Sequence, residues 1–138
     1  MYPPDLVAPM SKDLTDNGFQ GLETIEAVDG FMNNKEGTAL LVVNSVCGCA
    51  AANARPAAKY AFASLTPKPD RAATVFAGVN KEATERAREY LLPYPPSSPS
   101  IALFKDGQLV HFIERHNIEG RSAEMIAMNL KMAFEKHC

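Results

Sequence analysis

The stretch Ala39 to Val46 constrains the fold more than any other part of the chain. Its residues are mostly apolar on both alternating faces and rich in branched side chains, so both faces need cover. Such a strand belongs in the middle of a sheet with helices on either side. It runs straight into Cys47-Gly48-Cys49, after which Ala50, Ala54, Ala58 and Phe62 recur at four-residue spacing in an alanine-rich helix reaching Leu65. Pro56 falls inside that helix, where it removes one backbone hydrogen bond and kinks the axis.

The flanking sequence completes an α/β pattern. A helix is expected over Asp5 to Asp16, with Leu6, Met10 and Leu14 inward, stopped by Asn17-Gly18. A second runs from Leu22 to Asn34, with Leu22, Ile25, Val28 or Asp29, and Met32 on its apolar face, and Gly37 after it. Beyond the Pro67-Lys68-Pro69-Asp70 loop, Ala73 to Val79 reads as a strand. Asn80 is placed to cap a helix over Lys81 to Leu91, with Glu82 and Arg86 as an i,i+4 pair. The proline-rich segment Pro93 to Pro99 forces an extended approach to a strand at Ile101 to Phe104. Asp106-Gly107 turns it into an antiparallel partner, Gln108 to Glu114. Asn117 or Ser122 caps a last helix with Ile126, Leu130, Ala133 and Phe134 inward. The expectation is one domain over residues 1–138, a central mixed sheet of about four strands flanked by helices, with extra helices at the N-terminus.

Composition narrows the function. The chain has 14 basic and 16 acidic residues and no clustered Lys/Arg run, which speaks against nucleic acid as a partner. No apolar stretch approaches the roughly 20 residues of a membrane span, and the first residues lack the charged and apolar regions of a secretory signal. A cytoplasmic location without membrane contact is expected. Three cysteines do not make a disulfide framework. In a reducing compartment a close pair is more often catalytic or metal-binding than structural.

The position of the pair points to thiol–disulfide chemistry. A helix start offers free N–H groups and a positive dipole end, both of which favour a thiolate over a thiol. Cys47 sits at or just before the first turn and Cys49 two residues further in, so Cys47 is expected to be the more exposed and the more activated. Gly48 leaves room between them for a substrate disulfide. A bond between residues i and i+2 closes a small, strained ring, which suits a transient, oxidising disulfide rather than a strong general reductant. Pro99, just before the third strand, is placed to face the cysteines. A cis bond after Ser98 would present the Ser98 backbone to an extended substrate.

The chain resembles the bacilliredoxin family of thioredoxin-like proteins. The likeness is carried by MYPPDLV, VDGFMNNKEGTALLVVNSVCGCAAANARPA, YPPSSPSIALFKDG and the terminal KHC, and covers essentially the whole chain. The resemblance implies a thioredoxin-like fold and cytoplasmic removal of bacillithiol, a low-molecular-weight thiol acting as co-substrate, from S-thiolated client proteins. It implies no bound cofactor or metal. Cys47 matches the family's attacking cysteine, Cys49 the second cysteine, and Pro99 the proline before the third core strand. Thioredoxins proper have two residues between their cysteines, commonly preceded by tryptophan; this chain has one, and no tryptophan. A monomer or weak dimer is expected.

Rival readings exist for each feature. The Cys47/Cys49 pair, with His137 and Cys138, could form a soft metal site or a persulfide or cluster carrier. A labile disulfide would also permit weak isomerase activity. Cys138 reads more readily as a frayed terminal thiol. Met125, Met128 and Met132 share a helix face and read as core rather than copper ligands. His111 and His116 read as structural or surface groups. Arg55 could steer an anionic thiol, but a solvated surface charge is the simpler assignment. Asn44 and Ser45 either position a substrate or end the strand.

Overall fold

A computed structural model describes residues 2–138. Five strands form one sheet in the order β1-β3-β2-β4-β5. They are β1 (Gln20–Gly21), β2 (Thr38–Asn44), β3 (Arg71–Phe76), β4 (Ser100–Lys105) and β5 (Gln108–Ile113). β2 and β1 both run parallel to β3, whereas β4 is antiparallel to both β2 and β5. Every residue of β2 is buried, the cover its two-sided apolar pattern demands. The strand is one residue longer at its start than the pattern suggests and stops at Asn44, so Ser45 and Val46 belong to the turn that carries the cysteines.

Side chains alternate along β2 into two cores. Leu40 and Val42 pack with Ile101, Leu103 and Ile113 beneath α3 (Arg55–Ser64) and α6 (Ala123–His137). Leu41 and Val43 pack with Ala73, Val75, Ala102 and Phe104 beneath α2 (Ile25–Asn33) and α4 (Lys81–Glu89). The long N-terminal helix α1 (Pro4–Thr15) buries Val7 and Leu14 and ends before Gly18, whose φ of +93° suits glycine. The β4–β5 hairpin turns through Asp106 and Gly107, both at positive φ. A one-turn helix, α5 (Arg115–Ile118), lies between the hairpin and α6.

Several expectations change in detail. β1 pairs only two residues with β3, too short to leave a periodic signal, and it raises the sheet to five strands. α2 begins three residues later than expected because the Thr24 hydroxyl accepts the Ala27 N–H as an N-cap; Leu22 is buried outside the helix and Ile25 faces out. Leu6 is likewise exposed, and Val7 takes the inward position on α1. Asn80 precedes α4 without a side-chain cap. Arg86 pairs with Asp29 and Glu89 rather than with Glu82, because α2 packs against α4 and brings Asp29 within 2.7 Å. Ser122 is the cap of α6, and Asn117 instead closes a capping box with Glu114 at α5. Met125, Met128 and Met132 are not core: they are 55%, 58% and 65% exposed, because Ile126, Leu130, Ala133 and Phe134 occupy the inward stripe of α6. No helix of the described residues is long and apolar enough to cross a membrane.

Candidate functional site

The cysteines sit where β2 gives way to a helix. The Cys47 carbonyl accepts the N–H groups of Ala50 and Ala51, so Cys47 occupies the cap position and Cys49 lies inside the first turn. The helix does not run regularly from there. Ala50–Ala54 form a π turn, in which the Arg55 N–H reaches back to the Ala50 carbonyl. α3 follows, with Pro56 in its first turn. The kink expected at Pro56 is thus expressed as a wide turn ahead of the proline, where one extra residue absorbs the lost hydrogen bond.

The two sulfurs are 2.7 Å apart and both cysteines are free and half-buried, so greater exposure does not single out Cys47. Their acidities do separate. Burial pushes the Cys47 thiol up, but hydrogen bonding from Cys49, Ser45 and the Ala50 N–H, together with the Arg115 charge, outweighs it and leaves Cys47 below its ordinary value. Burial also pushes Cys49 up, and there the hydrogen bond to Cys47 and the Cys47 charge add to it; Arg115 opposes and Glu119 reinforces. Of the two thiols, Cys47 is the one that ionises first, and its thiolate accepts a hydrogen bond from the Cys49 thiol. Gly48 is exposed, and a Cβ built on it meets no atom within 4 Å, so the gap between the cysteines is open to solvent.

A buried network fixes this turn. The Asn44 amide donates to the Met10 carbonyl of α1, while its oxygen accepts the Ser45 N–H at 2.8 Å and an Arg55 Nη1 at 3.3 Å. Arg55 Nη1 also lies 3.4 Å from the Ser45 carbonyl, and the Ser45 hydroxyl accepts the Cys47 N–H at 3.1 Å. Arg55 is not a solvated charge: it is 4% exposed, and its Nε lies 3.4 Å from Asp13, which also pairs with Lys59. The Arg55 Nε–Asp13 contact has ion-pair distance but lacks hydrogen-bond alignment. Sequence alone misses this role because the partner carboxylate comes from α1, 42 positions earlier by number (55 − 13). Asn44 and Ser45 therefore both end the strand and support the turn.

The Ser98–Pro99 segment arrives at the same end of the sheet. Ser100 pairs with Val43, so Pro99 and Ser98 lie alongside the end of β2 where the cysteine turn begins. The Ser98–Pro99 bond is cis and Pro99 is buried. The Ser98 carbonyl accepts Arg115 Nη1 at 3.1 Å, and the Arg115 N–H donates to the Ser97 hydroxyl at 2.7 Å. Arg115 thus ties the proline loop to α5 while its charge reaches both thiols. Nothing in the local sequence marks it except the Glu114–Asn117 capping box, which announces a helix start immediately after β5. Of the remaining candidates, His116 is exposed beside Glu114, and His111 meets Asn129.

Cys138 stands apart from this site. Its thiol lies against Thr38, the first residue of β2, with Asp70 and Lys105 nearby. The six steps of β2 from Thr38 to Asn44 set it about 20 Å from the Cys47 turn. One chain therefore does not bring Cys138 and His137 to the Cys47/Cys49 pair, and no cluster of three metal-ligating side chains occurs among the described residues.

Sheet order, helix layers and a half-buried thiol pair at the start of a helix define a thioredoxin-like α/β protein with a thiol–disulfide redox site. The fold is that of solved thioredoxins. One, from Fasciola hepatica, superposes with a TM-score of 0.58 at 21% identity over 87% of this chain and 100% of its own. Another, from Malassezia sympodialis, gives 0.57 at 17% identity over 87% and 93%. A family model described as "Disulphide isomerase" matches residues 2–138. Proteins named bacilliredoxin from Cytophaga hutchinsonii and Bacillus cereus are 59% and 53% identical over 99% of this chain, covering 99% and 95% of their own lengths. One from Salinibacter ruber is 54% identical over 99% of this chain and 81% of its own. The chain belongs to the bacilliredoxin family.

Proposed function

We propose that this protein removes bacillithiol from mixed disulfides on cytoplasmic proteins, with Cys47 as the nucleophile and Gly48, Ser98 and Pro99 contacting substrate. The observation that carries the reading is the pairing of an acidified Cys47 with a protonated Cys49 only 2.7 Å away, at a turn open over Gly48. The Cys47 thiolate attacks the small-thiol sulfur of the mixed disulfide. A Cys47–small thiol disulfide forms, and the client leaves as a thiolate that takes a proton from water. A second small thiol then attacks that sulfur, releasing the oxidised small-thiol dimer and the Cys47 thiolate. Alternatively Cys49 loses its proton and attacks the Cys47 sulfur, releasing the small thiol and leaving a Cys47–Cys49 disulfide for an external reductant. Ring strain in an i,i+2 bond favours the first route.

The test is release of bacillithiol from a model protein mixed disulfide. Cys47→Ser is expected to abolish it, and Cys49→Ser to retain it with bacillithiol as the recycling thiol. Full activity in Cys47→Ser would overturn the assignment. The family description favours a second reading, disulfide isomerisation, in which Cys47 attacks a client disulfide and Cys49 provides escape. Regain of activity by a scrambled disulfide protein, lost in Cys49→Ser, would distinguish it.

A further inference from the structure

The outer face of α6 is apolar and has no partner within the chain. Met125, Met128 and Met132 follow one another along it at helical spacing, all exposed. Of the nine large apolar side chains exposed among the described residues, these are three, and Tyr60 of α3 is a fourth. Tyr60 and Met128 line the same apolar groove between α3 and α6, together with Ala57, Leu65 and Ala127. Single exposed apolar groups are ordinary, but a patch of four large ones along a groove marks a contact surface. No residue from Cys47 to Arg55 lines this groove, so the surface is separate from the thiol site.

The charges beside the stripe say what covers it. At 3.6 residues per turn, Met125 and Met132 fall on one flank of Met128, and Glu124 and Lys131 on the other. Along the axis Glu124 stands ~6 Å before Met128 and Lys131 ~4.5 Å after it. Met125 and Met132 stand ~4.5 Å before and ~6 Å after. Glu124 and Lys131 make no ion pair within the chain among the described residues. A two-fold axis through Met128, perpendicular to α6, preserves the flanks and reverses the direction of the helix. It therefore sets Glu124 against the partner's Lys131, twice, and Met125 against the partner's Met132, while Met128 meets its own counterpart. The pattern is self-complementary, which a two-fold contact requires and an arbitrary client segment does not supply. A net charge of −2 leaves little long-range repulsion between copies.

We infer that the outer face of α6 is a homodimer interface, in which two copies pack α6 antiparallel about Met128 and the Glu124–Lys131 pairs set the register. Methionine suits such a contact, because its flexible thioether adapts to an opposing surface without a shaped pocket. Tyr60 and the groove beside it widen the apolar area toward α3. One helix face and its margin make a small interface, so the association is reversible, with a dissociation constant of about 10–100 µM.

Sedimentation equilibrium of the full chain tests this, with all thiols kept reduced so that no intermolecular disulfide contributes. The average mass is expected to rise from one chain at about 1 µM toward two chains at about 500 µM. Met128→Glu sets two carboxylates against each other at the axis and should leave a single chain throughout. Glu124→Lys and Lys131→Glu should each weaken the dimer about tenfold, since each puts like charges together twice. Combining those two substitutions exchanges the signs, re-forms both pairs and should restore the parent constant. All three positions are exposed, so thermal melts of the variants should match the parent at concentrations where it is monomeric. A parent that stays a single chain at every concentration overturns the interface without recourse to any variant. A dimer that Met128→Glu leaves unchanged also overturns it, and so does a combined variant no tighter than the single ones.

Discussion

The two ends of β2 carry the same functional group in opposite conditions. At one end the Cys47 thiol is opposed by burial but surrounded by donors: the Cys49 thiol, the Ser45 hydroxyl, the Ala50 N–H and the charge of Arg115. At the other, the Cys138 thiol is also pushed up by burial; although the residue as a whole is exposed, its sulfur tucks against Thr38, and Asp70 adds to the upward push. Burial acts in the same sense on both. What differs is the balance: at Cys47 the donors and Arg115 outweigh burial, whereas at Cys138 the Thr38 hydrogen bond and Lys105 pull the thiol down without offsetting burial and Asp70. Acidity here is a property of the strand end, not of exposure.

Replacing the thiols tests that contrast most severely. Cys47→Ser should remove the fast phase of iodoacetamide labelling at neutral pH, leaving only the slower rate of ordinary thiols, a fall of at most about a hundredfold, whereas Cys138→Ser should leave the fast phase intact. Mass mapping of the labelled site checks it, and fast labelling of Cys138 would break the comparison. Next in size is Arg55→Ala. Removing a buried guanidinium strips partners from Asn44, Ser45 and Asp13 and should cost about 2–4 kcal/mol in urea unfolding, the half-exposed Asp13 keeping the figure below that of a fully buried pair.

Ser45→Ala should have a smaller, more local effect. Loss of its hydrogen bonding to Cys47 raises the Cys47 titration and slows alkylation at neutral pH about fivefold, in line with roughly 1 kcal/mol for one hydrogen bond. The sign for stability follows the same shift. Because the folded state holds Cys47 below its ordinary value, the stability drawn from its thiolate is fully present above that value and fades as pH falls through the lowered one. Cys138 behaves in reverse: its contribution is complete below the ordinary value and fades as pH rises through the raised one. Unfolding of the two Cys→Ser variants across pH 6 to about 10 should separate these slopes. The mildest change is Arg115→Gln. An exposed cation acting through solvent should slow alkylation of Cys47 only about two- to threefold, and added salt should erase the difference.

How much of this was legible depends on distance along the chain. The buried strand, the thiol pair at its end and the Asp106-Gly107 hairpin each sit within a few consecutive residues, and periodicity or turn chemistry exposes them. Ser98 and Pro99 could be placed because a strand start is local too. Arg55 could not: a charged residue on an alanine-rich helix gives no sign that Asp13 and Asn44 wait beneath it. Arg115 could not be placed either: it reaches the Ser97 hydroxyl and the Ser98 carbonyl only because the end of β5 returns beside the proline loop. The exposed methionine stripe of α6 shows the converse: spacing puts three residues on one face but does not say which face looks inward.

The π turn at Ala50–Ala54 also has a mechanical meaning. It joins a short cysteine-bearing arm to the rigid body of α3, with exposed Ala51 and Ala52 offering no side chains to anchor it and Pro56 lacking an amide to stiffen it. Its inner side is held nonetheless: Ala50 and Ala54 are fully buried, and the Asn53 amide donates to the Ile118 carbonyl at the end of α5. The extra residue therefore works as a fixed offset in a shaft, setting where the reactive sulfur stands relative to the core rather than letting it swing.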